Sequence, residues 1–62
     1  MSYRCVKEWT FGKGFGVQVG EIIEKISYDE LYGMPIVVVY TYYGDRAMYP
    51  WEFREHFEEV GS

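Results

Sequence analysis

The run Ile36-Val37-Val38-Val39-Tyr40-Thr41-Tyr42-Tyr43 decides the fold of this 62-residue chain. Four consecutive β-branched residues followed by aromatic ones are typical of a β-strand, and the absence of polar alternation among them predicts burial on both faces. We therefore expect this segment to be the central strand of a sheet. The rest of the composition agrees, because seven Val and four Ile stand against one Leu and one Ala. The class is predicted to be mainly β.

The residues that follow the central strand predict a hairpin, a helical turn and a last strand. Gly44-Asp45 predicts a tight turn, after which Arg46 to Tyr49 pairs back as a short strand. Pro50 suits the first position of a helix, so we expect a helical turn over Trp51 to Glu55. Phe57 to Val60 is then the closing strand.

The residues that precede the central strand predict two further strands. Ser2 to Glu8 is the first strand, and Trp9 to Gly14 is a loop that ends in a glycine-rich turn signal. Phe15 to Ile26 predicts one long strand with a bend near Gly20-Glu21, where the alternation of apolar residues changes phase.

Two segments of this half leave alternatives open. Glu21 to Leu31 has an Ile stripe that a helix would also explain, although no N-cap residue precedes it. Ser27 to Pro35 is expected to be an irregular excursion, because Asp, Gly and Pro favour turns. The length allows a single domain over residues 1–62.

These elements make five short strands with one helical turn before the last strand, which is the order of a small SH3-like barrel. Tyr49-Pro50-Trp51-Glu52-Phe53 resembles the SH3 pattern of an aromatic residue, a proline, two variable residues and an aromatic residue. The chain also resembles small SH3-like proteins of bacteriophages in Tyr3-Arg4-Cys5-Val6-Lys7, Met48-Tyr49-Pro50 and Phe57-Glu58-Glu59-Val60. The resemblance implies one SH3-like barrel. It does not imply polyproline binding, because the Ala-Leu-Tyr-Asp-Tyr opening and the paired Trp of peptide-binding SH3 domains are missing.

Charge disfavours nonspecific nucleic-acid binding. Six Lys and Arg against ten Asp and Glu give a net charge of −4 and a pI near 4.8, whereas affinity for phosphates requires positive charge. Four of the acids lie after residue 50, where Arg54 is the only base. This acidic segment is interpreted as a solvated face that keeps the protein soluble. The sharper hypothesis is that its glutamates, with Asp45, imitate phosphates.

Cysteine usage and hydropathy predict a cytoplasmic protein. Cys5 is the only cysteine, so neither an internal disulfide nor a cysteine-based zinc site is available, and we expect it to be a small buried apolar residue. Polar and charged residues follow Met1 directly, so no secretory signal is expected. The longest apolar run, Ile36 to Tyr40, is too short to cross a membrane.

Catalytic and cofactor-binding motifs are weak throughout, so we expect no enzyme, no cofactor and no metal. Gly12 to Val17 is glycine-rich but matches neither of the common phosphate-binding spacings. His56 lies one helical turn after Glu52, so an acid and base pair can be drawn, but a third partner is missing. One His and scattered carboxylates give no metal-ligand set.

The aromatic surplus is the informative feature. Seven Tyr, four Phe and two Trp are more than a core of this size can hide, and exposed Tyr and Trp are enriched at interface hot spots. The structural alternative is that they cap the open ends of the barrel. The predicted partner-binding residues are the aromatic Tyr40, Tyr42, Tyr43, Tyr49 and Trp51 and the acidic Asp45, Glu52, Glu55 and Glu58.

Three functions are compatible with this sequence. The first is a non-enzymatic protein-binding module, as in a phage effector or anti-defence protein that binds and inhibits a host protein. The second is a homo-oligomeric structural protein, such as a homodimer that pairs through an exposed sheet edge. The third is a single-stranded nucleic-acid binder that stacks bases on Tyr and Trp. It requires convergence of the basic side chains Arg4, Lys7, Lys13, Lys25, Arg46 and Arg54.

Overall fold

The computed structural model describes residues 1–61, which form eight short strands and one helix. The elements in chain order are β1 (Ser2–Cys5), β2 (Trp9–Gly12), β3 (Phe15–Val17), β4 (Ile22–Ile23), β5 (Ile26–Leu31), β6 (Met34–Thr41), β7 (Gly44–Met48), α1 (Pro50–His56) and β8 (Phe57–Val60). The strands pair antiparallel in three sheets, of order β4-β1-β8, β2-β3 and β5-β6-β7. The mainly β class is confirmed, with eight strand segments in place of the five expected, and their pairing within residues 1–61 does not close into a barrel.

Strand β6 occupies the central position predicted for it, between β5 and β7. Val37 and Val39 are buried, at 1% and 0% exposure, whereas Ile36 and Val38 are only half-buried. Side chains alternate between the two faces of a strand, so one face of the sheet meets the core and the other, here called the outer face, does not. The prediction of burial on both faces was therefore wrong for the outer face.

Strand β5 replaces the irregular excursion expected over Ser27 to Pro35, and the helix alternative over Glu21 to Leu31 was also wrong. The reason is the turn at Tyr32 and Gly33, whose φ angles are 50° and 81°. Two consecutive positive φ angles make the tight turn whose twist suits a β-hairpin. Leu31 pairs with Met34 across this turn, and the register continues to Ile26 opposite Val39.

Strand β2 corrects the loop predicted over Trp9 to Gly14, and β1 ends at Cys5 rather than at Glu8. β2 and β3 form a hairpin in which Thr10 pairs with Gly16. A Cβ atom at Gly16 would lie 2.6 Å from the carbonyl oxygen of Trp9, so only glycine permits this close approach. The long strand expected over Phe15 to Ile26 is divided among β3, β4 and the start of β5. Its predicted bend is the turn at Gly20, where φ is 97°.

The C-terminal predictions of a helical turn and a closing strand are confirmed by α1 and β8. Pro50 begins the helix, and the backbone N–H of Tyr49 donates to Oε1 of Glu52 at 3.2 Å. This carboxylate satisfies a backbone donor at the helix start. The preceding tight turn is formed by Tyr42 and Tyr43, and not by Gly44-Asp45, because β7 already begins at Gly44.

The core lies between the two three-stranded sheets and under α1. It consists entirely of apolar side chains, and within residues 1–61 no polar or charged residue is buried. Both sheets, the hairpin and the helix contribute, so no sheet has a core of its own. The buried residues are Cys5, Val17, Ile23, Val37, Val39, Met48, Phe53 and Phe57, with Tyr3, Trp9, Phe11 and Ile26 packed against them.

Helix α1 has seven residues and is the only helix in residues 1–61, and it is too short to cross a membrane.

The adjacent Val38 and Val39 test the division between the faces of β6. We expect Val39→Ala to lower the free energy of unfolding by about 2 to 3 kcal/mol, because it removes buried methyl groups and leaves a cavity. Val38→Ala makes the same chemical change on the outer face and should cost less than about 1 kcal/mol. Urea denaturation of the two variants measures both values, and equal losses would contradict the assignment of the faces.

Candidate functional site

The turn between β6 and β7 carries an aromatic cluster. The rings of Tyr42 and Phe15 each meet Tyr43 edge to face with centroids 5.2 Å apart, and the rings of Phe11 and Tyr43 are 6.2 Å apart. We call these four residues the turn cluster. The hydroxyl group of Thr41 fixes the turn, because its oxygen accepts the backbone N–H of Tyr43 at 3.1 Å and its O–H donates to the carbonyl of Gly44 at 2.7 Å.

The turn cluster continues into the core through Trp9. The Trp9 ring packs edge to face on Phe11 at 5.1 Å and on Phe57 at 6.1 Å. The guanidinium of Arg46 lies 4.7 Å from the centroid of Phe11. Phe11 therefore anchors the cluster to the fold, whereas Tyr42 is 94% exposed and Phe15 and Tyr43 are also exposed.

A second apolar surface lies on the outer face of the β5-β6-β7 sheet. Met34 and Ile36 lie on this face because they alternate with the buried Val37, and the register places Leu31 and Ala47 on it too. These residues line a groove of about 290 Å³ that ends at the start of α1. We call it the outer groove, and its full lining is Leu31, Tyr32, Met34, Ile36, Ala47, Met48, Tyr49 and Glu52.

The helical end of the outer groove is lined by two of the predicted binding residues, Tyr49 and Glu52, and a third, Trp51, packs on Tyr49. The rings of Tyr49 and Trp51 are stacked, with centroids 4.5 Å apart and an interplanar angle of 7°. Trp51 is 52% exposed. Pro50 between them begins the helix, so backbone geometry as well as stacking holds the pair in place. A rigid, exposed aromatic pair beside an apolar groove is the usual composition of an interface anchor.

Tyr40 lies on the outer face but has partners within the chain. Its hydroxyl is 3.1 Å from the hydroxyl of Ser27, and the Lys25 ammonium lies 4.8 Å from the centroid of its ring. Asp45, another predicted binding residue, pairs with Tyr40 across the β6-β7 ladder. These two residues therefore lie toward the turn cluster, away from the outer groove.

The predicted aromatic residues do not form a single surface. The outer groove lies at the Met34 end of β6 and the turn cluster at its Thr41 end, about 23 Å apart at 3.3 Å per residue. Sequence reasoning missed Leu31, Met34 and Ile36, which make the floor and rim of the groove. The sequence signal that could have identified them is Tyr32-Gly33 between the apolar residues Leu31 and Met34. This pattern is typical of a two-residue hairpin turn if Tyr32 adopts a positive φ.

The predicted acidic residues are also dispersed. Glu55 forms an ion pair with Lys7, and Glu58 forms one with Arg4. The hydrogen bond from the Lys7 ammonium, and then its charge, lowers the pKa of the Glu55 carboxyl below its ordinary value. Glu52 lies at the outer groove and accepts the Tyr49 N–H.

A second cavity, of about 460 Å³, lies between β3, β4 and the end of β6. Its walls are partly polar and partly apolar, because they include Gln18, Glu21 and Thr41 as well as Ile22 and tyrosine residues. The carboxylate of Glu21 already accepts the backbone N–H of Gln18 at 2.8 Å. We assign it no ligand.

The candidate reactive groups have structural partners. Cys5 is buried, as predicted, and its thiol donates to the carbonyl of Lys7 at 3.1 Å, while burial raises its pKa. Nδ1 of His56 lies 2.9 Å from the same carbonyl oxygen, and its ring packs near Trp9, so His56 and Glu52 have different partners. In the described part of the chain, no three His, Cys, Asp or Glu side chains are grouped as a metal site would require.

Comparisons with protein-family models, with curated proteins and with solved structures found no match to this chain.

The ion pair of Lys7 and Glu55 gives a pH-dependent contribution to stability. The folded-state pKa of Glu55 is below its ordinary value of 4.5, so the contribution is complete above that value and is lost as the pH falls through the lowered pKa. We expect Glu55→Gln to remove part of the loss of stability on acidification. Urea denaturation from about pH 7 to about pH 3 measures it.

The control for this experiment is Glu8→Gln, which removes an exposed carboxylate outside the two ion pairs. If the free energy of unfolding falls equally with decreasing pH in the wild type and in Glu55→Gln, the ion pair does not form in solution.

Proposed function

We propose that this chain is a non-enzymatic protein-binding module that docks a partner protein on the outer groove. The observation that carries the proposal is an apolar groove at the edge of the sheet face that the core does not cover, with Tyr49, which stacks on Trp51, lining its helical end. Leu31 and Met34 remain 53% and 45% exposed there. Contiguous exposed apolar surface of this kind is typical of interaction sites, because burying it in a complex is favourable.

The outer groove is favoured over the turn cluster because of its shape. All four rings of the turn cluster pack on one another, and Phe11 also packs on Trp9, so the rings fill the space between them. The groove is concave and can surround an inserted side chain. Hot-spot residues bind best in such pockets, where water is fully displaced.

The outer groove is also favoured over the acidic segment as the main binding determinant. Glu55 and Glu58 are each neutralised by a basic neighbour from the N-terminal part of the chain. A phosphate mimic needs uncompensated negative charge, so these two ion pairs weaken that version of the hypothesis.

The fold proposal is an SH3-like small barrel of the kind encoded by bacteriophages. The element order supports it, since β4 and β5 are nearly continuous along the chain and each joins one three-stranded sheet. The helix before the last strand supports it as well. In this proposal the protein is an effector that binds and inhibits a host protein in the host cytoplasm, where a buried free thiol such as Cys5 is ordinary.

The basic side chains give less support to nucleic-acid binding. Arg4 and Lys7 are in ion pairs with glutamates, Lys25 lies over Tyr40, and Arg46 lies over Phe11. These four bases are distributed over separate parts of the surface and already have partners. A groove that tracks a nucleic-acid backbone needs them on one face.

Affinity capture from a bacterial lysate tests the proposed function. The double variant Leu31→Ser/Met34→Ser removes apolar surface from the groove at two exposed positions, so the fold should be retained. We expect a stoichiometric partner on the wild-type protein and at least about tenfold less of it on this variant.

The matched control is Tyr42→Ala, which removes a larger exposed side chain at the far end of β6 and should capture as much partner as the wild type. Circular dichroism confirms folding of each protein. Equal capture by the groove variant, or no stoichiometric partner on a folded wild-type protein, would refute the proposal.

A further inference from the structure

The borders of the outer groove carry negative charge. Asp29 pairs with Ile36 in the β5-β6 ladder and therefore lies on the outer face beside the groove. Glu52 lines the other side, at the start of α1. Lys25 is the base that contacts this face, and its ammonium lies over the ring of Tyr40, toward the opposite end of the sheet. The groove is therefore an apolar surface between two carboxylates.

The spacing of these two carboxylates follows from the sheet. Asp29, Ile36 and Tyr49 lie in one row across the sheet, because Tyr49 directly follows Met48, the partner of Val37. Neighbouring strands are about 4.8 Å apart, so the row is about 10 Å long. Glu52 lies at the Tyr49 end, where its carboxylate accepts the Tyr49 N–H. The two charges thus lie on either side of the apolar floor.

We propose that the outer groove binds a partner segment that inserts one bulky apolar side chain and carries Lys or Arg on each side of it. The inference rests on the proposed function and deepens it by naming the chemistry of the partner. The apolar floor accounts for the inserted side chain, and the two border carboxylates account for the flanking bases. Same-face residues of an extended segment are about 7 Å apart, so bases within two residues of the anchor reach both carboxylates.

A second copy of this chain fits the groove less well. The adjoining edge strand β5 presents Asp29 and Glu30 next to each other, and both are exposed. Antiparallel pairing of two β5 edges in a register centred on Asp29 and Glu30 would bring these four carboxylates together, which is destabilising between directly opposed strands. The net charge of −4 adds repulsion between copies. The same charges attract a basic segment.

Selection from a display library of random peptides on the immobilised wild-type protein tests the inference. We expect the selected peptides to share a bulky apolar residue with Lys or Arg on both sides. Their affinity should fall as the NaCl concentration is raised, because exposed ion pairs are screened.

The matched variants are both isosteric. Asp29→Asn/Glu52→Gln removes the two border charges but leaves each side chain a carbonyl oxygen that can accept a hydrogen bond. We expect this variant to bind the selected peptides about fivefold or more weakly than the wild type. Glu8→Gln/Glu59→Gln makes the same change of net charge at exposed positions away from the groove and should weaken them less than twofold.

Failure of this inference differs from failure of the proposed function. Suppose that capture of the partner protein requires Leu31 and Met34, while the selected peptides lack Lys and Arg or bind the Asp29→Asn/Glu52→Gln variant as tightly as the wild type. Either result would refute the proposed basic segment and would leave the groove as a docking site. Failure to select any peptide also overturns the inference. A dimer by light scattering that Leu31→Ser/Met34→Ser dissociates would assign the groove to a second copy.

Discussion

The structure depends on the alternation of side chains along β6. Val37 and Val39 supply fully buried side chains to a core shared by both three-stranded sheets. The period of two then places Ile36 and Val38 on the opposite face, where the core does not reach. A chain this small has too few residues to cover both faces of its central strand. The exposed apolar face is thus a direct consequence of how the core is made.

The parts of the fold that the sequence predicted correctly are those with strong local signals. The β-branched run predicted the central position of β6, and Pro50 predicted the start of α1. The segment Phe57 to Val60 predicted the last strand. Local signals failed at β5 and β2. The hairpin that holds β5 requires a positive φ at a tyrosine, which has no special propensity for it, and an exposed edge strand lacks the apolar pattern that identifies a buried one.

The candidate site was predicted in part. Exposed Tyr42, Tyr49 and Trp51 were identified because the aromatic content exceeds what the core can hold. Their division between two ends of β6 was not predictable, since it depends on the register of the hairpins. The ion pairs of Glu55 and Glu58 were also beyond the sequence, because both depend on the N-terminal part of the chain lying beside the C-terminal part.

The two ends of β6 therefore differ in what they offer a partner. At the turn cluster, aromatic rings meet one another and connect through Trp9 to the core, which stabilises the hairpin and the turn. At the outer groove, the stacked pair of Tyr49 and Trp51 leaves an apolar concavity beside it and carboxylates on both sides. Rigid aromatic side chains beside an open groove lose little conformational entropy on binding, so this end is suited to recognition.

Amide NMR of the isotopically labelled protein, recorded alone and with the protein captured from lysate, tests this account most directly. The account predicts that shifts and line broadening on binding concentrate in residues 29–36 and 47–52. Perturbation confined to the turn at Tyr42 and Tyr43, with the groove residues unchanged, would contradict it.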